Sequence, residues 1–288
     1  MTSDVQSTSV TTLTLGGREV SRLGFGSMQL TGAGVWGPPE DHAGAVAVLR
    51  RAVELGVTFI DTADSYGPAS AEELIREALA PYGPVVVATK GGLARTGPGQ
   101  WHPIGLPEYL RQCCEMSLRR LGVDTIDLYQ LHRVDPKVPL EDQVGELAAL
   151  REEGKIRDIG LSEVDVEQLQ AAQAVTTIAS VQNLYNLTNR SAEALVDYCT
   201  EQSIAFIPWF PFANGALARP GGRLAALAQD RGVTTGQLAL AWLLARSPVV
   251  LPIPGTRSLA HLEENLTAAS VSLDAETLSA LDALGRPA

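Results

Sequence analysis

Eight short apolar runs recur along the chain, and amphipathic segments fill the gaps between them. The runs are LGFGS (23–27), VTFID (57–61), VVVATK (85–90), IDLYQLH (126–132), IRDIGLS (156–162), IASVQ (178–182), IAFIPW (204–209) and VVLPIPG (249–255). They are continuous in Val, Ile and Leu, as parallel strands covered on both faces are. Between them, LPEYLRQCCEMSLRRLG sets Leu110, Cys114, Leu118 and Leu121 at helical spacing before Gly122. EDQVGELAALREEGK does the same with Val144, Leu147 and Leu150, and Gly154 is a plausible stop. Eight strand–helix units predict an α/β fold of the (β/α)8 TIM barrel class. Ahead of them, TTLTLGGREVSR puts two β-prone arms around Gly16-Gly17, which predicts an N-terminal β-hairpin. With 288 residues and no linker or repeat, residues 1–288 are expected to form one barrel domain, 1–10 being a flexible tail. A doubly wound dinucleotide fold would need GxGxxG after its first strand; LGFGSMQL has Gly24 and Gly26, but Gln29 stands third.

The net charge of −11 argues against nucleic acid or an anionic membrane surface as a partner. Cys113, Cys114 and Cys199 form no CxxC, and the start MTSDVQSTSV has no signal-peptide pattern. The expectation is a reducing, cytoplasmic setting. QLALAWLL, the most apolar stretch, is far shorter than the ~20 residues of a membrane helix. Of His42, His102, His132 and His261, only His132 ends a strand, so no metal is expected.

Barrel enzymes place their chemistry at the C-terminal ends of strands. Here those ends read Asp61, Lys90, His132, Ser162 with Glu163, Gln182 and Trp209. Singly, each has a plain structural reading, such as a helix cap or a solvated charge; together they suggest a ring around one site. Tyr66 follows Asp61 by five residues in FIDTADSYG. A tyrosine is a neutral acid near pH 7. A nearby ammonium would stabilise its phenolate and lower its pKa, and a carboxylate would keep that ammonium charged. The set suits protonation of an oxygen that is becoming an alkoxide, with Tyr66 as general acid. Hydride would have to come from a nicotinamide. Asp64 receives no role beyond the loop.

FIDTADSYG, VVVATK, DLYQLH, IGLSE, VQNLYN and IPGTRSLAHLEENL, in this order, resemble the aldo-keto reductases over essentially the whole chain. The resemblance implies a barrel that carries NADPH, in preference to NADH, and a catalytic tetrad of Asp61, Tyr66, Lys90 and His132. It puts Ser162 and Gln182 on the nicotinamide carboxamide, beside Glu163, where the family usually has Asn. Trp209 would stack on the nicotinamide, with Phe210 and Pro211 adjoining, and Gly26, Ser27 and Met28 would form a backbone turn near it. Gly255, Thr256, Arg257 and His261 fall at the 2′-phosphate, and Glu264 and Asn265 at the adenine. Met28, Trp36 and Trp101 are the expected substrate pocket, shaped by long loops over 28–42 and 91–106. SMQLTGAGVWGPPEDHAGAVAVLRRAVELGV and PWFPF look like the bacterial pyridoxal reductase branch, which would make pyridoxal the small-molecule carbonyl substrate and pyridoxine its product. Other small aldehydes are alternatives. Some relatives are NADPH-binding regulatory subunits, which is the second functional class. Oligomeric state is not set by the sequence.

Overall fold

The computed structural model describes residues 12–212 and 222–284, and the tail expected over 1–10 lies outside them. Strands β1 (Thr12–Leu15) and β2 (Arg18–Ser21) pair antiparallel, with Leu13 opposite Val20. Gly16 and Gly17 both have positive φ, 56° and 80°, as a two-residue primed turn demands.

Seven parallel strands follow: β3 (Phe25–Gly26), β4 (Phe59–Asp61), β5 (Val86–Gly91), β8 (Ile126–Leu131), β9 (Ile156–Ser162), β10 (Ser180–Leu184) and β11 (Ala205–Trp209). They lie side by side in chain order. The remaining pair, β6 (Leu93–Gly97) and β7 (Gln100–Pro103), forms a hairpin inside the segment expected to be a plain loop.

The eighth expected strand is a correction. Residues 249–255 make only one parallel bridge, Phe206 with Val250. Pro252 and Pro254 have no N–H, so a ladder cannot run through them. The segment still closes the sheet. The Leu251 amide donates to Phe206 O at 2.8 Å, and on the other side the Gly24 amide donates to Pro252 O at 3.0 Å. The closing strands run close together here: a Cβ on Gly255 would lie 2.4 Å from Gly26 O, and one on Gly26 would lie 2.8 Å from Ile253 O.

Helices cover the outside: α1 (His42–Glu54), α2 (Ser70–Leu79), α3 (Pro107–Leu121), α4 (Leu140–Glu152), α5 (Val166–Val175), α6 (Glu193–Gln202), α7 (Arg223–Asp230), α8 (Thr235–Arg246), α9 (Leu259–Thr267) and α10 (Ala275–Leu284). Gly122 ends α3 in the left-handed conformation, as its place after Leu121 suggested. Among the described residues no helix is long and apolar enough to cross a membrane.

Two apolar layers result. Between strands and helices lies the larger one, which includes Leu49, Leu74, Leu118, Leu147 and Trp242. The smaller fills the barrel with inward-facing Phe59, Val86, Ala88, Leu128, Ala205, Ile207, Leu251 and Ile253. Leu13, Leu15 and Val20 of the hairpin join this inner cluster and plug one end of the barrel. Because side chains alternate along a strand, the next inward positions are Asp61, Lys90, Gln130 and Trp209. The barrel axis therefore passes from an apolar floor to a polar rim.

Candidate active site

Asp61 and Lys90 face each other at that rim, both buried. Lys90 Nζ donates to Asp61 Oδ1 at 2.6 Å, to Thr62 O at 2.8 Å and to Tyr66 Oη at 3.4 Å. The other carboxylate oxygen, Asp61 Oδ2, accepts from Gln130 Nε2 at 3.1 Å and Gln182 Nε2 at 2.9 Å. A buried ion pair persists only when its spare lone pairs and protons are satisfied. Here Asp61 is held from three directions. Burial pushes the Lys90 ammonium down, but Asp61 and Tyr66 outweigh it and hold it above its ordinary value. For Tyr66, burial raises the phenol further than Lys90 lowers it. That corrects the expectation of a net-lowered tyrosine: in this fold Tyr66 keeps its proton at neutral pH.

The Tyr66 and His132 rings meet edge to face with centroids 5.8 Å apart. Burial, then the charges of Lys90, Arg133 and Arg95, push His132 well below its ordinary value, so the imidazole is neutral. Its Nδ1 lies 3.2 Å from Ser65 Oγ. When that hydroxyl donates to Nδ1, the ring proton sits on Nε2, free for an acceptor.

Arg95, from β6, ties the walls together. Its guanidinium donates to Val35 O and Ser65 O at 2.7 Å, to Gly34 O at 2.8 Å, and through Nε to Gln100 O at 2.8 Å. It also stacks on Trp101, 3.5 Å from the ring centroid. One side chain thus fixes the 28–42 loop, the Tyr66 loop and the β6–β7 hairpin.

On the opposite wall, Arg133 Nη1 donates to Ser162 Oγ at 2.9 Å and to His132 O at 2.6 Å. Having accepted that bond, the Ser162 hydroxyl has its own proton left to give. Glu163 has φ 58°, in the left-handed region that Asn tolerates better than most residues. Its Oε1 accepts from Trp209 Nε1 at 2.5 Å and from the Leu184 amide at 2.7 Å. The expected Asn position is therefore filled by a residue that anchors the indole.

A cavity of about 1210 Å³ opens over this cluster. It is lined by Met28, Asp61, Tyr66, Trp101, His132 and Gln182, and further along by Gly26, Trp209, Phe210 and Pro211. At its far end are Gly255, Thr256, His261, Glu264 and Asn265, beside the start of α9. A second hollow of about 440 Å³ shares Gln29, Thr256 and His261 with it and adds Arg257 and Ser258. Arg257 is braced by Gln29 O at 2.5 Å and Thr31 O at 2.8 Å. Lys90, Ser162 and Glu163 stand behind the lining, and Ser27 Oγ is buried without a partner.

Trp36 is not where the sequence suggested. It bridges to Gly67 through its backbone, is 38% exposed, and its ring lies 5.6 Å from the Arg95 guanidinium, away from the cavity lining. Met28 and Trp101, its expected companions, do line the cavity.

Gln130, Ser65, Arg95 and Arg133 were not anticipated. Gln130 was accessible from IDLYQLH, since it stands two residues before His132 and shares its face. The Pro98-Gly99 pair between LART and QWHP was an unread hairpin signal. Nothing local marks the carbonyl partners of Arg95, which come from separate segments. Asp64, left without a role, turns one oxygen into a buried position with no partner. Burial, then the charge of Glu72, lift its carboxyl to about 7.

A sequence model of the Aldo/keto reductase family matches residues 22–286. The chain is 52% identical over 284 residues to an uncharacterised oxidoreductase of Schizosaccharomyces pombe, covering 99% of this chain and 93% of that one. It is 42% identical over 282 residues to pyridoxine 4-dehydrogenase of Escherichia coli K12, covering 96% and 98%. Among solved structures, an aldo-keto reductase from Klebsiella pneumoniae in complex with NADPH superposes with a TM-score of 0.81 at 32% identity, over 96% of this chain and 95% of that one. The curled parallel sheet, the polar rim and these likenesses lead to one conclusion: this chain is an oxidoreductase of the Aldo/keto reductase family.

Proposed function

We propose that this protein reduces a small aldehyde or ketone to the alcohol with NADPH, and that Tyr66 gives the proton. The observation that carries the reading is the Lys90 ammonium, bonded to Asp61 at 2.6 Å and Tyr66 at 3.4 Å directly beneath the large cavity. The residues fit a dinucleotide. The cavity runs without a break from Tyr66 to the N-terminus of α9, and Ser27 Oγ waits unpartnered near its wall. Gln182, Ser162, Trp209, Phe210, Pro211, Gly26 and Met28 would hold the nicotinamide end, and Gly255, Glu264 and Asn265 the adenosine. Arg257, Thr256 and His261, gathered at a helix N-terminus, support NADPH over NADH, because that end offers charge and amide donors to a 2′-phosphate.

Bound NADPH supplies the hydride to the carbonyl carbon, which no side chain can do. The protein does the rest. His132 Nε2 donates a hydrogen bond to the carbonyl oxygen and orients it toward Tyr66. As negative charge grows on that oxygen, the Tyr66 hydroxyl passes its proton across. Lys90, kept charged by Asp61, stabilises the phenolate left behind. The inner wall of Tyr66, Trp101, Met28 and Leu93 suits an aromatic substrate. With the likeness to a pyridoxine dehydrogenase, this makes pyridoxal, reduced to pyridoxine, the leading substrate. Three free, buried cysteines are compatible with a cytoplasmic setting.

An NADPH-oxidation screen of aldehydes and ketones that includes pyridoxal tests the reading. Turnover of pyridoxal or a related aromatic aldehyde is the expected result. NADPH binding with no turnover across the panel would overturn it and favour a cofactor-binding regulatory role.

A further inference from the structure

Arg133 is the only Lys or Arg among the described residues that line the main cavity. It follows His132 at the C-terminal end of β8, on the rim beside the tetrad. Only Nη1 is engaged, by His132 O and Ser162 Oγ, and neither is a carboxylate. Nε and Nη2 make no hydrogen bond among the described residues, and neither is among the buried atoms left without a partner. Arg133 is half-buried and lines the cavity, so this edge of the guanidinium is placed to meet a ligand there. Arg95 and Arg257 offer a contrast, since each is braced through more than one guanidinium nitrogen by backbone carbonyls.

No carboxylate forms an ion pair with Arg133 among the described residues, and the segment 213–221, ANGALARPG, contains no acid. The acid whose charge it feels most is Glu163, whose Oε1 already accepts from Trp209 Nε1 and Leu184 N. A half-buried guanidinium that pairs with no carboxylate among the described residues keeps its charge available to an anion in the cavity. Its charge also reaches both Tyr66 and His132, which places it close to the reacting centre.

Resting on the reductase reading above, we propose that Arg133 selects the substrate: its free guanidinium edge binds an anionic oxygen, carboxylate or phenolate, carried by an aromatic carbonyl compound. The flat walls of Tyr66 and Trp101 take the ring, whose centroids in the protein stand 6.5 Å apart, edge to face. Arg133 takes the charge. A fork of two N–H donors on one carboxylate gives direction as well as attraction. In a chain of net charge −11, a cation on the cavity wall offsets the repulsion an acidic substrate meets outside.

The test uses 2-, 3- and 4-formylbenzoate and their methyl esters, which match in ring and carbonyl but lack the charge. At least one acid should have a lower KM than its ester. Arg133→Gln should raise that acid's KM about tenfold more than the ester's, the loss of one charge-assisted contact. Arg133→Lys should restore part of the difference, and turnover of the ester by either variant reports a folded protein. Equal changes for acid and ester would overturn the proposal. So would a loss of NADPH affinity with an unchanged acid-to-ester ratio, which would give the guanidinium to a cofactor phosphate. If neither acids nor esters are reduced and pyridoxal and the wider aldehyde panel also fail, the reductase reading fails; titration calorimetry with terephthalate still decides the anion site. Binding that weakens in Arg133→Gln supports it; no binding, or equal binding, contradicts it.

Discussion

Glu163 holds Trp209: its carboxylate accepts the indole N–H at 2.5 Å while its own backbone sits at φ 58°. A residue in an unfavourable conformation is retained where its side chain does something, and here it fixes the ring proposed to face the nicotinamide. Glu163→Ala keeps the strained backbone and removes the acceptor, and should lower stability by about 1–2 kcal/mol. A double-mutant cycle with Trp209→Phe, read by urea denaturation, should recover a coupling of roughly 1 kcal/mol. Strict additivity would contradict the link.

Asp64 and His132 should tilt stability in opposite directions with pH. Asp64 titrates at about 7 in the fold against 3.8 normally, so the folded protein holds a proton that the unfolded chain has released. Its contribution therefore declines as pH rises from about 4 to about 7. Asp64→Asn should be more stable than wild type at pH 8, by up to about 4 kcal/mol, and similar near pH 4. His132 lies well below its usual 6.5 in the fold, so protonation of the unfolded chain erodes stability as pH falls below that value. His132→Asn should flatten the acidic limb. Denaturant midpoints from pH 4 to 8 check both signs.

Arg95 joins three segments by its planar fork and by its face on Trp101. Lysine keeps the charge but has neither plane nor fork, so Arg95→Lys should behave nearly as badly as Arg95→Ala. Both should raise KM about tenfold, by freeing the wall that carries Trp101. Hydrogen exchange should quicken over residues 93–103 while β4 and β5 stay protected. Full rescue by lysine would show that only the charge matters.

Much of this was legible in the sequence because the barrel writes itself as repeated apolar runs ending in polar residues. Asp61, Lys90, His132 and Gln182 each terminate such a run, so their convergence could be anticipated. The closing segment was not so regular, because Pro252 and Pro254 leave one bridge where a strand was expected. Trp36 looked like a pocket residue by type, yet a neighbouring cation pairs with it outside the cavity. The sign of the Tyr66 shift was not legible either. It depends on how burial compares with the charge of Lys90, and burial is a property of the assembled fold.

Ser65 should set the His132 tautomer across 3.2 Å. Ser65→Ala should lower kcat about tenfold, with KM less affected, because the donor to the carbonyl oxygen is no longer enforced. Nitrogen NMR of the labelled imidazole should show a shift from the Nε2–H form toward a mixture. An unchanged tautomer with normal kcat would assign Ser65 a packing role alone.

The central claim is that Tyr66 delivers the proton over the Lys90–Asp61 pair. Tyr66→Phe removes one oxygen and leaves the ring in place. The decisive measurement is kcat/KM for an aromatic aldehyde in this variant, alongside its NADPH affinity. A fall of at least about 100-fold with unchanged cofactor binding is the predicted result; turnover at the wild-type rate would contradict the account.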